Sequence, residues 1–376
     1  MRITHVELYE LTLPLVEPFI IPGGAIAERR SVIVALRDDA GHTGYGEAPP
    51  FELPFYSEET LASARDLLER VLVPRVAGRE FHSPEAMDAA IRDGVRGNPF
   101  ARSAIETAAW DLEAHACGNG LAALLAERLG VRAATSVPCG VALGIPADRR
   151  PETLTRWVAD AVERGYRRVK VKVMPGWDDV AVRAARTGIA GADLPLTVDA
   201  NGAYEWPAHE ANLRALDDAG LLYIEQPLAP DELVGHARLS HALRTPVCLD
   251  ETLRSAAVAR QVMELDGPKV WNIKVHRTGG LTEVCRIYRV AEQYGAELWA
   301  GTMPESGIGS QAALAAAALP LFVYPSDLEP SARWFGRNAD VIKLTMGKDG
   351  RMAVPDVSCG RLLDAGRFGA ATRRLG

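Results

Sequence analysis

At 376 residues, with 48% hydrophobic and 24% charged residues, the chain has the composition of a folded globular protein and can hold a barrel of roughly 250 residues plus a smaller domain. A formal charge of −7 argues against nucleic acid or an anionic membrane surface as the main partner. Its five cysteines (Cys117, Cys139, Cys248, Cys285, Cys359) show no C-x-x-C spacing, so they indicate neither a disulfide framework nor a zinc site and fit a reducing cytoplasm.

The opening MRITHVELYELTLPL alternates polar and apolar residues like a strand and lacks the continuous apolar run of a signal peptide. Strands are expected over residues 3–13, 31–37 and 43–47, as an antiparallel meander. Between the first two lies a loop, residues 18–30, whose apolar Ile20 and Ile21 and paired Gly23 and Gly24 suggest a lid over a substrate. A plain surface hairpin is an equal reading of the same stretch. Helical spacing follows over residues 58–71, 83–93 and 99–116, which makes residues 1–130 a compact α+β unit.

From about residue 131 to residue 340 the rhythm changes to a short apolar strand and then a helix, repeated about every 25 residues. Strands fall near residues 137–143, 168–173, 194–199, 222–225, 247–250, 269–274 and 297–300, with a weaker eighth at 321–324. Strand–helix alternation means parallel strands with right-handed crossovers. No G-x-G-x-x-G opens a helix, so a modified (β/α)7β-type TIM barrel is preferred to an open dinucleotide-binding sheet. The apolar run 312–323 is interrupted by Pro320, is too short to span a bilayer, and reads as a buried Ala-rich helix entering a strand. The tail, residues 341–376, returns to strand-like pieces expected to pack on the first unit.

Catalytic groups in such barrels sit at the C-terminal strand ends. Here those ends carry Lys170 and Lys172, then Asp199 and Asn201, then Glu225, then Asp250 and Glu251, then Asn272 and Lys274, with Glu305 in the loop after the seventh strand. A lone strand-terminal Asp is more often a helix cap, and a lone Lys is more often solvated. Three acids on successive strand ends converge on the barrel axis, where their repulsion calls for a cation. Asp199, Glu225 and Asp250 form a hard oxygen-only set suited to Mg²⁺, with no His or Cys to favour zinc. Lys172 and Lys274 then fall on either side of the metal, placed to move a proton α to a substrate carboxylate. Lys170 shares a face with Lys172, can contact that carboxylate, and is expected to hold the pKa of Lys172 down.

These motifs, KVK (170–172), VDAN (198–201), IEQP (224–227), LDE (249–251) and NIK with a following Gly279-Gly280, resemble the enolase superfamily in its muconate lactonising branch. Within it, SVPCGVALGI, KVMPGWD and RGNPFARSAIETAAWDL are most similar to the o-succinylbenzoate synthase and N-succinylamino acid racemase group. The resemblance spans nearly the whole chain. It implies Mg²⁺ on Asp199, Glu225 and Asp250, with Mn²⁺ as a substitute, and Lys172 and Lys274 as the acid/base pair acting through an enediolate. Lys170, Asn201, Glu251, Asn272 and Glu305 become supporting residues, the partner a small carboxylate, and the assembly a homo-oligomer. Val275-His276 stands where that group has Pro-Gly, and the lid is more apolar, so the distal half of the substrate differs. Muconate-type cycloisomerisation and dipeptide epimerisation remain alternatives, the latter through a near match to D-x-D at Asp327-Leu328-Glu329. A mandelate racemase-like base is disfavoured because residues 297–305 contain no His. A non-catalytic binding paralogue has no reason to keep all five charged residues.

Overall fold

A computed structural model describes residues 1–21, 24–336 and 339–375. Three N-terminal strands, β1 (Ile3–Ile21), β2 (Gly24–Asp38) and β3 (Thr43–Ala48), pair antiparallel. Alternation in β2 sends Val32, Val34 and Leu36 into one core with helix Pro99–Cys117, while Ile33 joins Leu11 and Leu13 in the larger core shared with the barrel. The helix lies so close to β3 that a Cβ on Gly44 or Gly46 would fall 2.2 or 2.1 Å from a helix carbonyl. Both glycines are therefore required by approach.

The loop expected over residues 18–30 is instead two arms of one long hairpin. β1 and β2 remain paired out to Ile20↔Ala25 and Ile21↔Gly24, past an irregularity between Pro14 and Phe19. The β-branched Ile20, Ile21 and Ile26 favour extended backbone over a loop. Of the expected lid residues, Ile20, Ile21 and Gly24 thus belong to paired strand backbone, and Gly23 lies outside the described residues.

After β4 (Ser136–Pro138) comes a seven-stranded parallel sheet: β5 (Gly140–Leu143), β6 (Arg168–Lys172), β7 (Leu196–Asp199), β8 (Ile224–Glu225), β9 (Val247–Leu249), β10 (Val270–Ile273) and β11 (Glu297–Ala300), neighbours in that order. Helices such as Pro151–Glu163 and Asp178–Ile189 run between strands. The eighth position holds no regular strand. Single bridges Leu298↔Phe322 and Cys139↔Ser326 close the gap, and Pro325 removes a donor that a regular ladder would need. Helix Gly307–Ala317 is buried at every residue, as its Ala-rich sequence suggests, and Glu47 of the N-terminal unit accepts from the Ser306 and Gly309 amides at its start. The tail divides: β12 (Arg351–Ala353) pairs with β4, and β13 (Thr372–Arg374) adds to β1. Among the described residues no helix is long and apolar enough to cross a membrane.

Candidate active site

Parallel register lines up the chemistry. Lys172 pairs with Asp199 across β6 and β7, and Asp199 with Glu225 across β7 and β8. Asp250 follows β9 by one residue and Lys274 follows β10 by one. Carboxylate oxygens of Asp199, Glu225 and Asp250 lie within 4.8 Å of one another, and all three side chains are buried. Lys172 Nζ donates to Asp199 Oδ2 at 2.6 Å and to Asn201 Oδ1. Lys274 Nζ donates to Asp250 Oδ2 at 3.0 Å. Because Asp199 and Asp250 are the outer members of the row β7–β8–β9, the two amines flank the triad on opposite sides.

The supporting residues are strung between these groups. Asn201 Nδ2 donates to Glu251 Oε1 at 2.8 Å, and the Asn201 amide to Asp199 Oδ1 at 3.0 Å. Asn272 Nδ2 donates to Glu225 Oε1 at 2.8 Å, and Gly301 must lack a side chain because a Cβ there would lie 2.3 Å from Asn272 Oδ1. Gln226 Oε1 accepts from the Asp250 and Thr252 amides, which fixes the end of β9. Lys170 Nζ sits 2.9 Å from Glu225 Oε2, 3.4 Å from Asp199 Oδ2 and 2.7 Å from Asp327 Oδ2. Glu305 is buried but turns back on its own loop, accepting from the Met303 amide, and is not part of the cavity wall.

The side chains around the triad satisfy its three charges unevenly. Burial, then the Asp199 carboxylate, push Glu225 up to about 8, while its Oε2 receives no aligned hydrogen bond. Burial also raises Asp250, but Arg277 and Lys274 outweigh it and hold that carboxyl well below the ordinary range. Lys274 and Lys170 are both raised. Burial lowers Lys274, yet Asp250 and Tyr56 outweigh it and raise it, and Lys170 is raised well above its usual value by Asp327, Glu225 and Asp199 against the same burial. The reason is the neighbouring carboxylates, whose negative charge favours the ammonium forms, an effect that a divalent cation among them would oppose. Three clustered carboxylates, one of them with an oxygen that receives no aligned hydrogen bond, fit a hard dication.

The triad opens into a cavity of about 210 Å³ whose walls include Lys170, Lys172, Asn201, Glu251 and Lys274, with Phe51, Phe55 and Tyr56 reaching in from the N-terminal unit. Tyr56 OH lies 2.8 Å from Lys274 Nζ, and burial holds the phenol proton by raising it to about 12. Tyr56 therefore accepts from the ammonium. Tyr56→Phe is expected to lower turnover about tenfold, measured by steady-state kinetics, because it removes the bond that orients the Lys274 ammonium. Tyr56 and Arg277 escaped the sequence reading. Arg277 donates to Asp250 Oδ1 and, at 2.8 Å, to the Asn272 carbonyl. The usable signals were the aromatic cluster in 51–56 and an arginine one helical turn after Lys274.

A barrel with a capping sheet unit, three acids on consecutive strand ends and an amine on each side defines a metal-assisted proton-transfer enzyme. Residues 153–360 match the family described as "Enolase C-terminal domain-like", and residues 3–126 the "Mandelate racemase / muconate lactonizing enzyme, N-terminal domain". The chain belongs to the enolase superfamily. It is 42% identical over 357 residues to an N-succinylamino acid racemase of Thermus thermophilus, covering 95% of this chain and 93% of that one. An o-succinylbenzoate synthase of Geobacillus stearothermophilus is 37% identical over 359 residues, covering 95% and 92%. Among solved structures, an enolase superfamily member of Listeria innocua superposes with a TM-score of 0.90 at 32% identity, covering 99% and 98%.

Proposed function

We propose that this enzyme uses Mg²⁺ to take the proton α to the carboxylate of an N-acylamino acid and return it on the opposite face, racemising the substrate. The observation that carries this reading is the pair of lysines on opposite flanks of one acid triad. Racemisation needs a proton donor and a proton acceptor on opposed faces, whereas a syn elimination of the o-succinylbenzoate synthase kind needs one amine. The similarity to an N-succinylamino acid racemase supports the substrate class.

Asp199, Glu225 and Asp250 would hold the metal, which supplies charge to stabilise the substrate carboxylate as the α-carbon loses its proton. The remaining work belongs to the chain. Lys172, held by Asp199 and Asn201, and Lys274, held by Asp250 and Tyr56, present Nζ atoms from the two sides, one accepting a proton while the other delivers one. Phe51, Phe55 and Met303 line the cavity and exclude water from the deprotonated carbon. Dipeptide epimerisation is less well supported, because Asp327 already serves Lys170 and Arg168, and Glu329 accepts from the Ala142 amide and lies 3.4 Å from Arg333.

The test is a screen of N-succinylamino acids, dipeptides and cycloalkadiene acids with Mg²⁺ in D₂O, read by NMR at the α-carbon. N-succinylamino acids are expected to exchange and racemise. Turnover of a cycloalkadiene acid without any exchange of N-succinylamino acids would replace the racemase reading with the synthase one, and no reaction at all would refute both.

A further inference from the structure

Lys170 is a hazard to the site it serves. Its ammonium is 4% exposed and touches two of the three triad carboxylates at once, Glu225 at 2.9 Å and Asp199 at 3.4 Å. Lys172 and Lys274 each touch one, from the rim. A fixed cation in contact with two prospective ligands competes with a dication for the same oxygens. Something must draw it aside.

The shortest of the three Lys170 contacts is to Asp327, at 2.7 Å. Asp327 lies just past the segment that closes the barrel, and its backbone is pinned, with its amide donating to the Ala300 carbonyl at 2.9 Å and its carbonyl accepting from Thr302 Oγ1 at 3.1 Å. Its other oxygen is held by Arg168, a fully buried guanidinium that also donates to the Pro325 carbonyl at 3.1 Å and packs over the bare Gly140. Both cations stand over the Trp299 ring, Arg168 at 4.8 Å and Lys170 at 4.6 Å from its centroid. Asp327 is the carboxylate that bridges the two like charges on that shared platform.

We infer that Asp327, anchored by Arg168, is a positioning residue that takes the nearest share of the Lys170 ammonium and so limits its competition with a divalent cation for Glu225 and Asp199. The inference rests on the reading of the triad as a Mg²⁺ site. Without the Asp327 charge, Lys170 has only the triad carboxylates to pair with and settles onto them as an internal competitor.

The experiment is calorimetric titration of Mg²⁺ into the chelator-stripped full chain. Asp327→Asn is expected to weaken the Mg²⁺ dissociation constant at least about tenfold, and Asp327→Asn with Lys170→Met to return it to within about threefold of the parent, because the competitor is gone. Since Asp327→Asn alone leaves Arg168 buried without its partner, Arg168→Met with Asp327→Asn provides a background free of the orphaned charge, and the same weakening and the same Lys170→Met rescue are expected there. Unchanged Mg²⁺ affinity in either Asp327→Asn background overturns the inference. So does weakening that Lys170→Met fails to rescue, which is the signature of a merely structural role. If the parent protein itself takes up no Mg²⁺, the metal reading falls and the inference with it.

Discussion

In D₂O with Mg²⁺ and an N-succinylamino acid, Lys172→Ala and Lys274→Ala each racemise at least about 10³-fold more slowly than the parent, yet each still exchanges the α-hydrogen of one enantiomer, and the two variants choose opposite enantiomers. The expectation follows from topology. Lys172 enters from β6 on the Asp199 side, and Lys274 follows β10 on the Asp250 side, so a carboxylate lying over the triad offers each α-face to one amine. Removing one amine stops the hand-over between faces and leaves local exchange on the other. The variants should fold, because each truncation leaves its carboxylate a second cation: Asp199 keeps Lys170 at 3.4 Å, and Asp250 keeps Arg277. Deuterium incorporation followed separately for the two enantiomers decides the matter. Loss of exchange for both enantiomers in either variant would mean that one lysine alone does the chemistry and the other only supports it.

The barrel, the capping unit and the five charged residues at the strand ends were legible because each rests on a short-range pattern: apolar strands at a regular period, and acids and lysines at their C-terminal ends. Strand ends shifted by only a residue or two, as with 194–199 against Leu196–Asp199. The two strands of the hairpin were drawn too short because paired Gly23-Gly24 and Pro18 signal a loop locally, whereas the pairing of β1 with β2 is decided by register over many residues. Residues that act across long sequence separations were the hardest to see. Tyr56 reaches Lys274 and Asp327 reaches Lys170 through the closing of domain and barrel, and no local pattern reports either contact.

Asp250 separates the role of the metal from the role of the charge network. Stripping the protein with EDTA is expected to abolish α-hydrogen exchange while leaving Tm within a few degrees, because the triad is already answered by four cations: Lys170 on Glu225 and Asp199, Lys172 on Asp199, and Lys274 and Arg277 on Asp250. Asp250→Ala is expected to do more. The side chain is buried, and its loss leaves the Lys274 ammonium and the Arg277 guanidinium side by side in the interior with no carboxylate between them. Breaking a buried pair from one side costs about 3–5 kcal/mol, since the partner charge stays desolvated. For a chain of this size that corresponds to a fall in Tm of about 4–6 °C. Asp250→Asn keeps the shape and the backbone bond to Gln226 Oε1 and removes only the charge, so its cost should approach that of alanine if electrostatics dominates. Both variants and the parent are compared by thermal unfolding in EDTA, where no difference in metal occupancy contributes. Equal melting temperatures there would show that Lys274 and Arg277 find other partners, and that the Asp250 charge is held in place for the cation alone.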